Sequence, residues 1–71
     1  MQFLTVVQLD DEYFYLHRYD EKAEIPPGRG IEVFTISDEG DHSTNSLLKL
    51  EESGREEARR RGIKHVNHLD R

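Results

Sequence analysis

Two histidines three residues apart, His65 and His68, follow closely on a run of arginines, Arg55, Arg59, Arg60 and Arg61. These are the residue types in the chain best suited to holding a metal or a phosphate. On a helix, a spacing of three puts both imidazoles on one side, as paired metal ligands require. On a strand the same spacing sends them to opposite faces. Gly62 follows three arginines and reads as a helix stop, with cations at the negative end of the dipole. The extended reading of the segment after it therefore has the histidines pointing apart. Asp70, the nearest candidate third ligand, is badly angled on a helix, and no metal or cofactor is expected. The arginines, with Lys64, can contact phosphates. Yet Glu51, Glu52, Glu56 and Glu57 share their helix. Glu51 with Arg55, Glu56 with Arg60 and Glu57 with Arg61 stand four apart in the order that stabilises helices. Mixed charge of this kind marks a solvated helix face. Nucleic-acid binding through Arg55, Arg59, Arg60, Arg61 and Lys64 is the second reading, in the form of a small dimeric regulator.

A stronger surface signal lies upstream. Tyr13, Tyr15, His17 and Tyr19 alternate with Phe14, Leu16 and Arg18, so on a strand the first four share a face. Tyrosine combines a large apolar ring with a polar tip and suits protein interfaces. Carboxylates flank the row: Asp10, Asp11 and Glu12 before it, Asp20 and Glu21 after it. These nine residues are the candidate partner-binding set. The competing reading is that a helix covers the row and makes it core.

Other chemistry finds little support. The Gly-Arg-Gly at residues 28–30 precedes a strand and opens no helix, which is wrong for a dinucleotide site. No phosphate-binding loop, nucleophile elbow or calcium loop is present. A chain of 71 residues forms one small domain with little room for a catalytic pocket. An enzyme is not expected. Cysteine is absent, which removes disulfides and thiolate zinc sites as stabilisers. The apolar run near the N-terminus has neither the basic start nor the length of a secretory signal, and nothing approaches the roughly 20 apolar residues of a membrane span. A soluble cytoplasmic protein is the expectation, in the host cytoplasm if phage-encoded.

Net charge is −5, unevenly spread: residues 1–42 hold ten acids and three bases, residues 43–71 five acids and seven bases. The acidic first part repels a phosphate backbone and attracts a basic protein surface.

The elements that must position these groups follow from pattern. Residues 3–9 are apolar on both parities and predict a strand in the middle of a sheet. Residues 10–12 form a turn and residues 13–19 return as a hairpin partner. A two-residue loop aligns Val7 with Phe14 and a three-residue loop aligns it with Tyr15, so the register stays open. Residues 20–30 form a Pro- and Gly-containing loop, and residues 31–36 a third strand. A helix from residues 43–45 to Gly62 places Leu47, Leu50 or Glu51, Gly54 and Ala58 on one stripe. The alternative is a strand over 45–51 with a shorter helix starting at Ser53. Residues 63–66 predict a short edge strand; the rival is helix continuing through Leu69. The fold expected is α+β, a three-stranded antiparallel sheet in βββα order with one helix on one face and a short fourth strand after Gly62. One helix covers one face, so the other needs a second protomer, another protein or the tail. A homodimer is therefore among the expected partners.

The function these features predict is non-catalytic: an acidic module that binds a basic protein surface. In size, charge and lack of catalytic motifs the chain is similar in type to phage and mobile-element inhibitors of host machinery, anti-CRISPR proteins among them. The two readings diverge on charge reversal. Arginine-to-glutamate changes at 59, 60 and 61 abolish activity in the nucleic-acid reading. Changing Tyr15 with Asp11 does so in the protein-binding one.

Overall fold

A computed structural model describes residues 1–68. Leu69, Asp70 and Arg71, and with them the readings that invoke Leu69 and Asp70, lie outside the described residues. The order of elements is β1 (Gln2–Leu9), β2 (Glu12–Tyr19), β3 (Ile31–Asp38), α1 (Thr44–Arg60) and β4 (Asn67–His68). The fold is α+β, as the pattern predicts. The sheet differs from the expected three-stranded antiparallel array: it has four strands in the order β3-β1-β2-β4 and is mixed. β1 pairs antiparallel with both β2 and β3, and β4 joins β2 in parallel.

β1 is central because both of its faces are apolar. Leu4 and Val6 are fully buried on one face, and Thr5 and Val7 are 0% and 3% exposed on the other. Asp10 and Asp11 form a two-residue turn, with Asp10 at φ 57°. Two-residue hairpin loops need a positive φ to match strand twist, and Asp tolerates it. This turn sets Val7 opposite Phe14 and Val6 opposite Tyr15. A bulge between Val6 and Val7 shifts the β3 register, so that Val6 faces Phe34 and Val7 faces Glu32.

α1 is one continuous helix, and the shorter helix from Ser53 does not form. Ser43 caps it: Ser46 N donates to Ser43 Oγ at 3.1 Å. Asp41 reinforces the cap, accepting from Ser46 Oγ at 2.7 Å and from Ser43 N at 3.1 Å. At the other end Gly62, at φ 83°, closes a Schellman motif. Its N–H donates to Arg59 O at 3.0 Å, and Ile63 N–H donates to Ala58 O at 2.9 Å. The inward stripe is Leu50, Glu51, Gly54 and Ala58. At Gly54 the helix backbone comes close to the sheet. A Cβ built there would stand 2.7 Å from Leu4 Cδ2, with Tyr15 Cε1 at 3.4 Å and Ile36 Cδ1 at 3.6 Å.

The opposite face is not left for a partner or the tail alone. β2 ends level with Gln2 and β3 begins level with Gln8 on the far side of β1, so residues 20–30 must travel the length of that strand. With α1 on the other face, they are the described segment left to cover Thr5 and Val7. Ala23 is 8% exposed, and Lys22 pairs with Glu32, which shares the face of Val7. Thr5 and Thr35 hydroxyls bond at 2.9 Å beneath. The chain after Gly62 also departs from expectation. Ile63 and Val66 turn inward onto the core, so pairing with β2 starts only at Asn67.

Two outcomes test this packing. Gly54→Val should destabilise the fold by about 1–3 kcal/mol, because overpacking against Leu4 outweighs the helix propensity gained; urea unfolding measures it. The donors Ser43 and Ser46 hold the Asp41 carboxyl well below its ordinary 3.8. Stability from a lowered folded pKa is fully present above the ordinary value and is lost as pH falls below it and through the folded value. Asp41→Ala should therefore lower the thermal midpoint at neutral pH, with the difference from wild type closing in strong acid.

Candidate functional site

The hairpin register decides the tyrosine row. Opposite residues share a face, so Tyr15 lies beside Val6, and Tyr13, His17 and Tyr19 lie on that same face of the sheet, the one α1 packs on. Tyr15 is 4% exposed and belongs to the main core, which takes it out of the predicted contact set. Burial raises its hydroxyl pKa; the Arg55 guanidinium, which hydrogen-bonds to it, opposes that rise, and Glu51 adds to it. Its ring lies 5.1 Å from that of His68. Tyr13 and His17 are half-buried, and Tyr19 alone of the row is exposed, at 40%.

The flanking carboxylates do not form one surface. Asp10, Asp11 and Glu12 lie at the hairpin turn, and Asp20 and Glu21 at the opposite end of β2. Eight strand residues separate them by about 25 Å. The predicted set therefore divides into two groups of acids, with only Tyr19 as an exposed aromatic beside one of them.

That end of the sheet is closely built. Tyr19 packs on His42 with ring centroids 3.9 Å apart, and His17 meets Tyr19 edge-on at 4.7 Å. Beneath them Gln2, fully buried, links two elements. Its Oε1 lies 2.9 Å from His17 Nε2, and its Nε2 donates to Asp38 Oδ1 at 2.8 Å. Asp38 Oδ1 also accepts from Gly40 N at 2.9 Å, bringing the β3–α1 loop over the strand ends. Asp20 N–H donates to Met1 O at 2.7 Å. The result is an exposed ring pair, with Asp20 and Glu21 following Tyr19 in the chain and Glu39 and Asp41 preceding His42, all four exposed; Asp20 pairs with the Met1 ammonium at 3.4 Å. His42 was not in the candidate set. It occupies a loop at φ 66°, and no periodicity announces it.

The basic residues also separate. Arg60 Nη1 and Arg61 Nε both donate to Glu57, at 3.1 and 3.0 Å, and Arg61 lies 5.0 Å over the Phe34 ring. Glu51 turns inward to His68 Nδ1 at 3.0 Å, tying β4 to the helix. Arg55, Arg59 and Lys64 instead line one cleft of about 280 Å³, with His65 and His68. The two histidines, expected to point apart, thus contribute to the same cleft. His65 Nε2 lies 2.8 Å from Asn67 Oδ1. A second cleft, of about 300 Å³, holds the Glu51–His68 pair beside His17, with no serine, threonine or cysteine in its lining. Among the described residues no three His, Asp or Glu side chains approach closely enough to share a metal ion. No helix among them is long and apolar enough to cross a membrane.

No family model matches the sequence, and neither a curated protein nor a solved structure shows significant similarity to it.

The placement of Tyr15 has a direct test. Tyr15→Ala should cost about 3–5 kcal/mol of stability, as for other buried aromatics, and Tyr15→Phe about 1 kcal/mol or less. An unchanged urea midpoint for Tyr15→Ala would mean that the ring is not buried.

Proposed function

We propose that the chain is a non-catalytic, acidic protein-binding module whose contact surface is the end of the sheet around Tyr19. One observation carries this reading: an exposed tyrosine packs on His42 with ring centroids 3.9 Å apart, and exposed carboxylates flank both residues in the chain. A rigid aromatic near the centre of a patch supplies contact area at low entropic cost, and surrounding charges orient the partner. His42, His17, Gln2 and Asp38 hold the ring in place before any partner arrives. The partner is a protein with a basic surface. The acidic excess of residues 1–42 steers such a partner and repels nucleic acid. Within this reading the chain acts as an inhibitor of host machinery of the phage or mobile-element type, occupying a basic site as anti-CRISPR-like acidic proteins would.

A second reading, nucleic-acid binding, draws support from the convergence of Arg55, Arg59 and Lys64 on one cleft. Arg60 and Arg61 support it less, since Glu57 engages both.

Tyr15 is a poor probe because replacing it unfolds the core, so Tyr19 is the discriminating position. The partner captured by the wild-type chain should be lost by Tyr19→Ala and by the pair Glu21→Lys and Glu39→Lys. The pair Arg59→Glu and Lys64→Glu should retain it. Capture should also weaken as salt rises. Loss of capture only in the Arg59 and Lys64 pair would overturn the reading in favour of the second.

A further inference from the structure

The cleft between the last turns of α1 and the segment after Gly62 has no place in the protein-binding reading. Arg55 and Arg59 stand one helical turn apart, and Lys64 and His65 face the same space from the following segment. Tyr15, Ala58 and Ile63, each under a tenth exposed, form its apolar base. Among the described residues no carboxylate lines it, although the chain as a whole carries a net −5.

Cations at a helix C-terminus ordinarily serve the helix dipole and its unpaired carbonyls. Here the backbone does that work. The carbonyls of Glu57, Ala58 and Arg59 accept from the N–H groups of Arg61, Gly62 and Ile63. Arg60 and Arg61 go to Glu57. Among the described residues Arg59 and Lys64 enter no ion pair, and both are exposed at the rim of a concavity, where like charges reinforce one another's field.

We infer that this cleft binds a phosphate monoester dianion. Guanidinium forks match phosphate oxygens bidentately, and a second and third cation suit a group with two charges. The volume, about 280 Å³, admits a phosphoryl group with a small substituent. The cations line a single cleft, whereas a nucleic-acid backbone calls for charges spread along a track. The ligand bridges α1 and residues 63–68. Asn67 Nδ2 donating to Tyr13 O at 3.3 Å and the His68–Glu51 pair attach the end of that segment. Occupancy therefore stabilises the fold by linkage.

The test uses the full chain, labelled for amide NMR, with thermal unfolding in parallel. Inorganic phosphate and a simple alkyl phosphate are titrated against chloride at matched ionic strength, and a single-stranded oligonucleotide forms a separate arm. Saturable shifts at Arg59, Ile63, Lys64 and His65, with a raised thermal midpoint, are expected for both phosphates. Arg59→Ala and Lys64→Ala should each weaken binding about tenfold, the loss of one charge-assisted hydrogen bond. Arg60→Ala should leave it unchanged. Binding of the alkyl phosphate but not inorganic phosphate assigns the site to an esterified ligand. Equal shifts in chloride, or insensitivity to both alanine variants, would overturn the inference. So would an oligonucleotide binding more tightly than either phosphate through the same residues. Tyr19→Ala should bind phosphate normally, so failure here and failure of the protein-binding reading are separately visible.

Discussion

The contact between Leu4 and the bare backbone of Gly54 sets the terms for the rest of the molecule. A small chain without cysteine has only its packing to hold it together. β1, apolar on both faces, must be covered twice, and α1 covers one face by lying almost directly on the strand. A Cβ at 54 would press into Leu4 Cδ2, while meeting Tyr15 and Ile36 at ordinary contact distance. With the helix seated there, Tyr15 goes into the core and Glu51 is carried to where His68 meets it. The same docking leaves Tyr19 beyond the helix start, where the β3–α1 loop brings His42 over it. Packing and surface are thus one decision, made at the hairpin turn and at Gly54.

Charge is distributed around that frame in an orderly way. The end of the sheet holding the helix N-cap carries Asp20, Glu21, Glu39 and Asp41, and the last turns of the helix carry the arginines. Arg60 and Arg61 are consumed internally by Glu57, which leaves Arg59 and Lys64 for the cleft beside Tyr15. The two surfaces call for ligands of opposite sign, and they draw on different elements. The two proposed ligands, a protein at Tyr19 and a small phosphate at Arg59, would therefore not compete for a residue.

Much of the architecture was legible in the residues. Apolar character on both parities placed β1 mid-sheet, and Ser43 and Gly62 marked the ends of α1 correctly. The stripe ending in Gly54 and Ala58 identified its buried side. The hairpin register was not legible, because two-residue and three-residue loops place opposite faces inward with equal ease. Asp10 at positive φ resolves it, and that conformation is not written in its identity. The site suffered most from this. The tyrosine row read correctly as one face, but which face could not be read, and Tyr15 proved to be core. His42 escaped notice because its role depends on loop geometry set by Gln2, Asp38 and Gly40. The mixed sheet escaped it too, since Ile63 and Val66 look like strand residues yet spend their apolar side chains on the core.

The central claim is that Tyr19 and its acidic surround meet a protein partner. A benzophenone photo-crosslinker in place of Tyr19, and in a second chain in place of Arg59, tests it in lysate of the native host. The account predicts a discrete protein adduct from position 19, absent from position 59 and suppressed by high salt. An adduct only from position 59, sensitive to nuclease, would contradict it.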